Sequence, residues 1–211
     1  MPRPGNKRYH HGDLRAALIE TAAELIAERG LRAFSLAEAS RRLGVAVSAP
    51  YAHFEDRDDL LAAVAVRAFE LFHAALVPAM DEFSEPADRL AAMARAYVRF
   101  AAGHRPMFEV LYESGLDKSL HPEIEAAERP LNEAFEGCVR AVADGDDDLA
   151  EEMAVAVEAT ARGHAMLLLD GEAAPDQMAV DVAAERAARA TRALVESRSL
   201  LAIPSGRGVQ K

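Results

Sequence analysis

The sequence predicts an all-α protein in which a three-helix N-terminal domain is followed by a larger helical one, about nine helices in all. Three observations carry this expectation. Apolar positions recur at steps of three and four along most of the chain. Gly and Pro interrupt that pattern at intervals suited to helices of ordinary length. Hydrophobic residues make up 51% of the chain, many of them alanine, and no stretch alternates as a half-buried strand does.

The elements follow in order. Residues 1–12 carry two prolines, two glycines and the basic cluster Lys7, Arg8, His10 and His11, and read as a flexible arm. Asp13 can cap a first helix that runs to Arg29, with Leu14, Leu18, Ala22, Leu25 and Ile26 on one face and Gly30 as its stop. The stretch FSLAEASRRLGVAVSAPYAHF, Phe34 to Phe54, gives two short helices around a break at Gly44. Ser35 and Glu38 have capping-box spacing, and Pro50 fits the first turn of a helix opening near Ala46. A fourth helix is expected from Glu55 to about Val77, blocked by Pro78. Further helices are expected over 86–103, 105–114, 121–143 with an interruption at Pro130, 148–169 and 175–199, with a tail from 201. The expected domains are 13–60 for the helix-turn-helix and 61–200 for the helical body.

A helix, a glycine turn and a second helix with small outward side chains suit the major groove of DNA, because bulk there holds the backbone away from base edges. The Phe34–Phe54 stretch, with LRAALIETAAELIAERGLRAFS overlapping its start and EDRDDLLAAV after it, resembles the DNA-binding domain of TetR-type transcriptional regulators over the first third of the chain. The resemblance implies that Tyr51, His53 and Arg57 hold phosphates and that Ser35 adds a hydroxyl and amides. Ala49-Pro50 before Tyr51 resembles a subgroup whose C-terminal domain carries a Trp-His-Gly signature, and RPMFEVLYESGL and HPEIEAAERPLNEAF resemble that domain too. The signature itself is broken: aligned through Gly163, Glu158 stands at the tryptophan position and Arg162 at the histidine position. The recognition helix offers few hydrogen-bonding groups. Ser48 can donate or accept, Val47 and Ala49 can meet a thymine methyl, and Arg41, Arg42, Lys7 and Arg8 are left to read bases or groove shape.

Charge divides along the same line. Up to Phe54 there are eight Lys or Arg against five Asp or Glu, and beyond it sixteen against thirty, which together make the net −11. A mildly basic head on an acidic body orients the molecule on a polyanion.

In the body, Phe69, Phe72, His73, Met93, Tyr97, Phe100, Met107, Phe108, Leu111, Tyr112, Phe135, Arg162 and Met166 are the candidate lining of a pocket. The resemblance implies that a small molecule enters there, moves the fourth helix and weakens DNA binding. The last helix repeats Val180, Ala183, Ala187, Ala190 and Leu194, and with Val155 and Ala159 these are the candidate seam of a four-helix interface in a two-fold homodimer. Two recognition helices must stand about 34–36 Å apart to reach successive major grooves.

No catalytic constellation, phosphate loop or metal-spaced histidine pair is legible, and His121-Pro-Glu123 reads as a helix start, so no enzyme, metal or cofactor is expected. Cys138 is read as a small buried hydrophobe. No apolar run is taken to approach the roughly 20 residues of a membrane span, and the N-terminus lacks a signal-peptide core, so cytoplasmic residence is expected. The reading is a ligand-released repressor on a palindromic operator, and the alternative is a ligand-independent architectural or interaction module that binds DNA.

Overall fold

The structure is a computed structural model that describes residues 11–170 and 174–201. Eight α-helices and four short 3-10 turns account for the described chain, with no strand among the described residues. The helices are α1 (His11–Arg29), α2 (Leu36–Leu43), α3 (Arg57–Asp81), α4 (Pro86–Gly103), α5 (Arg105–Glu113), α6 (Pro122–Val142), α7 (Asp147–Leu169) and α8 (Gln177–Glu196). The third of the nine expected helices, the one opening near Ala46, is instead a 3-10 turn at Ala49–Ala52.

Chain contacts divide the protein into two compact units, Met1–Phe69 with Arg105–Ala127, and Glu70–His104 with Glu128–Lys211. Helix α5 and the start of α6 group with the first unit.

In the first unit, α1 turns Leu18, Ala22, Leu25 and Ile26 inward, leaving Leu14 half-buried at the edge. Helix α2 packs on α1, and Leu36 and Ala39 of α2, Phe34, Phe54, and Leu60, Leu61 and Val64 of α3 are buried in the same unit. Helix α5 also packs on α1, and its Met107, Phe108 and Val110 are buried. Ser40 is fully buried and donates its hydroxyl to the Leu36 carbonyl at 2.9 Å, so no polar atom is stranded there.

In the second unit, α4 packs on α7 and α8. Alanines make the close approach possible, with Ala91, Ala92, Ala94 and Ala101 of α4 buried and Ala184, Ala187 and Ala188 of α8 buried as well. Ion pairs border the contact of α4 and α8: Arg95 grips Glu185 with two hydrogen bonds of 2.6 and 3.2 Å, and Arg99 reaches Asp181 at 3.0 Å. Asp146 and Asp176 cap α7 and α8 by accepting from the Leu149 and Ala179 amides.

Two prolines expected to break helices do not. Helix α3 runs through Pro78 to Asp81, and α6 runs through Pro130. A proline removes one hydrogen bond and crowds one carbonyl, and at Pro78 the flanking Leu76 and Met80 are buried and hold the helix in place. The reading of apolar runs is also corrected: α3 is long and apolar enough, by length and composition, to cross a membrane. Its apolar window is 56% buried within the protein, which suits the core helix that it is.

Candidate nucleic-acid interface

The recognition turn is built by three local devices. Ser35 accepts the Glu38 amide at 3.3 Å and opens α2. The reciprocal half of the capping box is not made, because the Glu38 carboxylate is engaged by Arg29 at 3.1 Å and Arg41 at 2.7 Å. Gly44 closes α2 in the left-handed region, φ 68° and ψ 25°, where a side chain would be strained. Pro50 then decides the form of the next segment. Its nitrogen has no hydrogen to give the Ala46 carbonyl, which instead accepts from Ala49 at 2.9 Å, while Tyr51 bonds to Ser48. Such three-residue spacing is the 3-10 pattern, and so the segment is one tight turn.

That turn presents its side chains outward. Val47 is 52% exposed and Tyr51 59% exposed, Ser48 is exposed, and Ala49 and His53 are half-buried. Buried Pro50 and Phe54 anchor the turn on the other side, and the Arg15 guanidinium stands over the Phe54 ring at 5.3 Å. The structure therefore places Val47, Ser48, Ala49, Tyr51 and His53 on one short, largely exposed segment, and Ser35 at the mouth of α2. Lys7 and Arg8 lie outside the described residues.

The arginines are engaged within the protein. The Arg57 guanidinium donates to the Leu31 carbonyl at 2.7 Å and the Phe34 carbonyl at 3.3 Å, and pairs with Asp58 at 3.1 Å. It holds the turn between α1 and α2, and the Phe34 ring lies beneath it. Arg42 makes a two-pronged bond to Glu28, one arm 2.7 Å long. That bond holds the Glu28 carboxyl below the usual carboxylate range and raises Arg42 in turn. Arg41 is exposed and rests on Glu38 and the Ala37 carbonyl. Sequence spacing could not show the Arg42 and Arg57 pairings, since Glu28 belongs to a different helix and Leu31 to a different turn.

The thirteen candidate pocket residues are divided between the two units. Phe69, Leu111 and Tyr112 line a cavity of ≈ 190 Å³ in the first unit, where Lys118 stands over the Phe69 ring at 5.4 Å. Met107 and Phe108 are buried in that unit's core. In the second unit Phe72 packs on Tyr97 and Phe100, with ring centroids 5.1 and 4.7 Å away, and Met93 is buried. Phe100 also borders an open groove of ≈ 400 Å³ lined by Ala75, Ala79, Phe83, Arg95 and His104 among others. Met166 is exposed, Arg162 bonds to Glu158 one turn away at 2.6 Å on the helix surface, and His73 and Phe135 are half-buried.

The seam divides as well. Val180 and Ala187 face the core of their own unit, 8% and 0% exposed, whereas Val155 is 63% exposed and Ala159 is exposed. Ala183, Ala190 and Leu194 are half-buried. A stripe stepping by three and four drifts across a straight helix, so part of it turns inward. Residues missed in the sequence complete the outward face: Leu167, 79% exposed, with Gly163 and Ala193, joins Ala159, Ala190 and Leu194 around a shallow groove of ≈ 580 Å³ between α7 and α8.

Two family models match the chain. One, described as bacterial regulatory proteins of the tetR family, matches residues 18–64; the other, a tetracyclin repressor-like C-terminal domain, matches residues 90–194. A Rhodococcus sp. RHA1 protein of unknown function is 30% identical, with a TM-score of 0.67 over 89% of this chain and 98% of that one. The TetR family transcriptional regulator PfmR from Thermus thermophilus is 24% identical, with a TM-score of 0.62 over 84% and 96%. AibR, solved in complex with isovaleryl coenzyme A and operator DNA, is 18% identical and shares the fold with a TM-score of 0.66 over 83% and 96%. No curated protein sequence matches the chain.

Proposed function

We infer from the exposed turn that this chain, which belongs to the TetR family of bacterial regulatory proteins, reads DNA through Val47, Ser48 and Ala49 and holds phosphates through Ser35, Tyr51 and His53. It is a DNA-binding transcriptional regulator with a helical C-terminal domain of the ligand-binding type. The observation that carries the site assignment is the run of outward side chains on a turn anchored by buried Pro50 and Phe54. Base reading then rests on methyl contact and on Ser48, because the turn presents little else that can hydrogen-bond. Arg41 and Arg42 join only by exchanging their carboxylate partners for DNA. Arg57 acts one step removed, by shaping the loop before α2.

Two copies meet, in this reading, across the outward face of α7 and α8, so that two turns reach successive major grooves of a palindromic operator in the bacterial cytoplasm. A small molecule entering the helical domain releases the operator by favouring a form with the wrong spacing. AibR's complex with isovaleryl coenzyme A and operator DNA supports such a scheme by fold alone. The segment Arg105–Leu116 and Gly163 favour the Trp-His-Gly subgroup, while Glu158 and Arg162 depart from it. That surface ion pair favours the second reading, a DNA binder that needs no ligand.

The test is selection of bound sequences from a random duplex pool, followed by titration of the winner at two salt concentrations. A palindrome with half-sites about one helical turn apart, bound by a dimer, supports the reading. Binding that is only steeply salt-dependent, with no enriched sequence, defeats it.

A further inference from the structure

We propose that Asp59, His121 and Glu123 form a binding site for a borderline divalent transition-metal ion of the Zn²⁺ or Co²⁺ type. Each offers one ligand atom, and the three atoms lie within 4.8 Å of one another. His121 Nδ1 stands 3.5 Å from Glu123 Oε1. The group is assembled from distant segments of the first unit, Asp59 in the first turn of α3 and the other two at the entry to α6.

Each side chain is placed by its backbone. His121 has φ −132° and ψ 70° and stands just before Pro122, which opens α6. Glu123 follows in the first turn, on the same side as the imidazole. The Glu55 amide donates to Asp59 Oδ2 at 2.9 Å, which orients that carboxylate and leaves its other oxygen available. Two carboxylates are thus held close together beside one imidazole. Like charges at this separation repel, and a bound dication turns the repulsion into attraction.

The donor set selects the class of ion. One imidazole nitrogen with two carboxylate oxygens suits Zn²⁺, Co²⁺, Ni²⁺ or Mn²⁺ better than Ca²⁺ or Mg²⁺, which favour all-oxygen sets. Bonds of about 2.0–2.2 Å to a tetrahedral ion put ligand atoms roughly 3.5 Å apart. The side chains therefore close by about 1 Å, within the reach of the half-exposed Glu123, and water completes the shell. An occupied site ties the first turn of α3, which follows the recognition turn directly, to the start of α6.

The test uses the full chain, stripped with chelator and titrated with Co²⁺ and then Zn²⁺. One Co²⁺ per chain with visible ligand-field absorption is expected, displaced by Zn²⁺ and not by excess Mg²⁺, together with a higher Tm. His121→Ala and Asp59→Asn each weaken binding by roughly tenfold or more. The exposed His104→Ala and the paired His10→Ala/His11→Ala leave it unchanged. If His121→Ala fails to fold, the exposed Glu123→Gln reports the same loss. No Co²⁺ uptake below roughly 100 μM, equal competition by Mg²⁺, or loss of binding with the His10/His11 change instead of His121→Ala overturns the proposal.

Discussion

Tyr51 and Val47 show more than half of their surface to solvent, so replacing them tests recognition with little effect on folding. Tyr51→Phe is expected to weaken binding to operator and random duplex alike by about 0.5–1.5 kcal/mol, the worth of one hydroxyl hydrogen bond, with Tm unchanged. Val47→Ala removes a methyl contact and relaxes preference at one half-site position, measured by repeating the sequence selection. Arg57→Ala behaves oppositely. It leaves two loop carbonyls to find water, so about 1–2 kcal/mol of stability is lost in urea unfolding, and DNA affinity falls only as far as the loop before α2 loosens. The residue types at these positions were legible from spacing; the arginine's partners were not, since Leu31 and Phe34 are more than twenty residues away in the chain.

Among the elements, α2 ends in a left-handed glycine with nothing within 4 Å of the added Cβ. Gly44→Ala therefore costs only backbone strain, about 1–2 kcal/mol, read as a drop in the urea midpoint with unchanged slope. The α4–α8 contact gives a pH dependence. The Glu185 carboxyl is held below its ordinary value of 4.5 chiefly by the hydrogen bond from Arg95, and Asp181 is lowered by Gln177 and Arg99. Carboxyls with depressed folded-state values contribute stability that is present above the unfolded value and lost as pH falls through the folded one. Tm should thus decline as pH drops below about 4.5, and Glu185→Gln should flatten that decline; an unchanged slope shows that the contact contributes nothing. The recognition turn was expected as a short helix, and Pro50 explains why it is not one: helical spacing of apolar residues is shared by α and 3-10 segments, and only the missing amide separates them.

For the whole molecule, the proposed dimer face gives a paired prediction. Leu167→Glu alters a side chain that is 79% exposed, so light scattering should find a folded monomer with normal helical circular dichroism and weakened operator binding. Ala187→Asp buries an unpaired charge at a position with no exposure and should instead prevent folding. If Leu167→Glu remains dimeric, another face makes the contact.

Fold class, the position of each helix to within a few residues, and the placement of Gly44 and the outward turn were determined by the sequence alone, because helical periodicity, capping and glycine stops are local properties. Which side of a small-residue stripe faces inward, which carboxylate holds which arginine, and that α5 packs on α1 were decided only by tertiary structure. The cluster of Asp59, His121 and Glu123 shows the reason most plainly. Asp59 lies about sixty residues from the other two, no spacing rule links it to them, and only the packing of the first unit brings their ligand atoms within 4.8 Å.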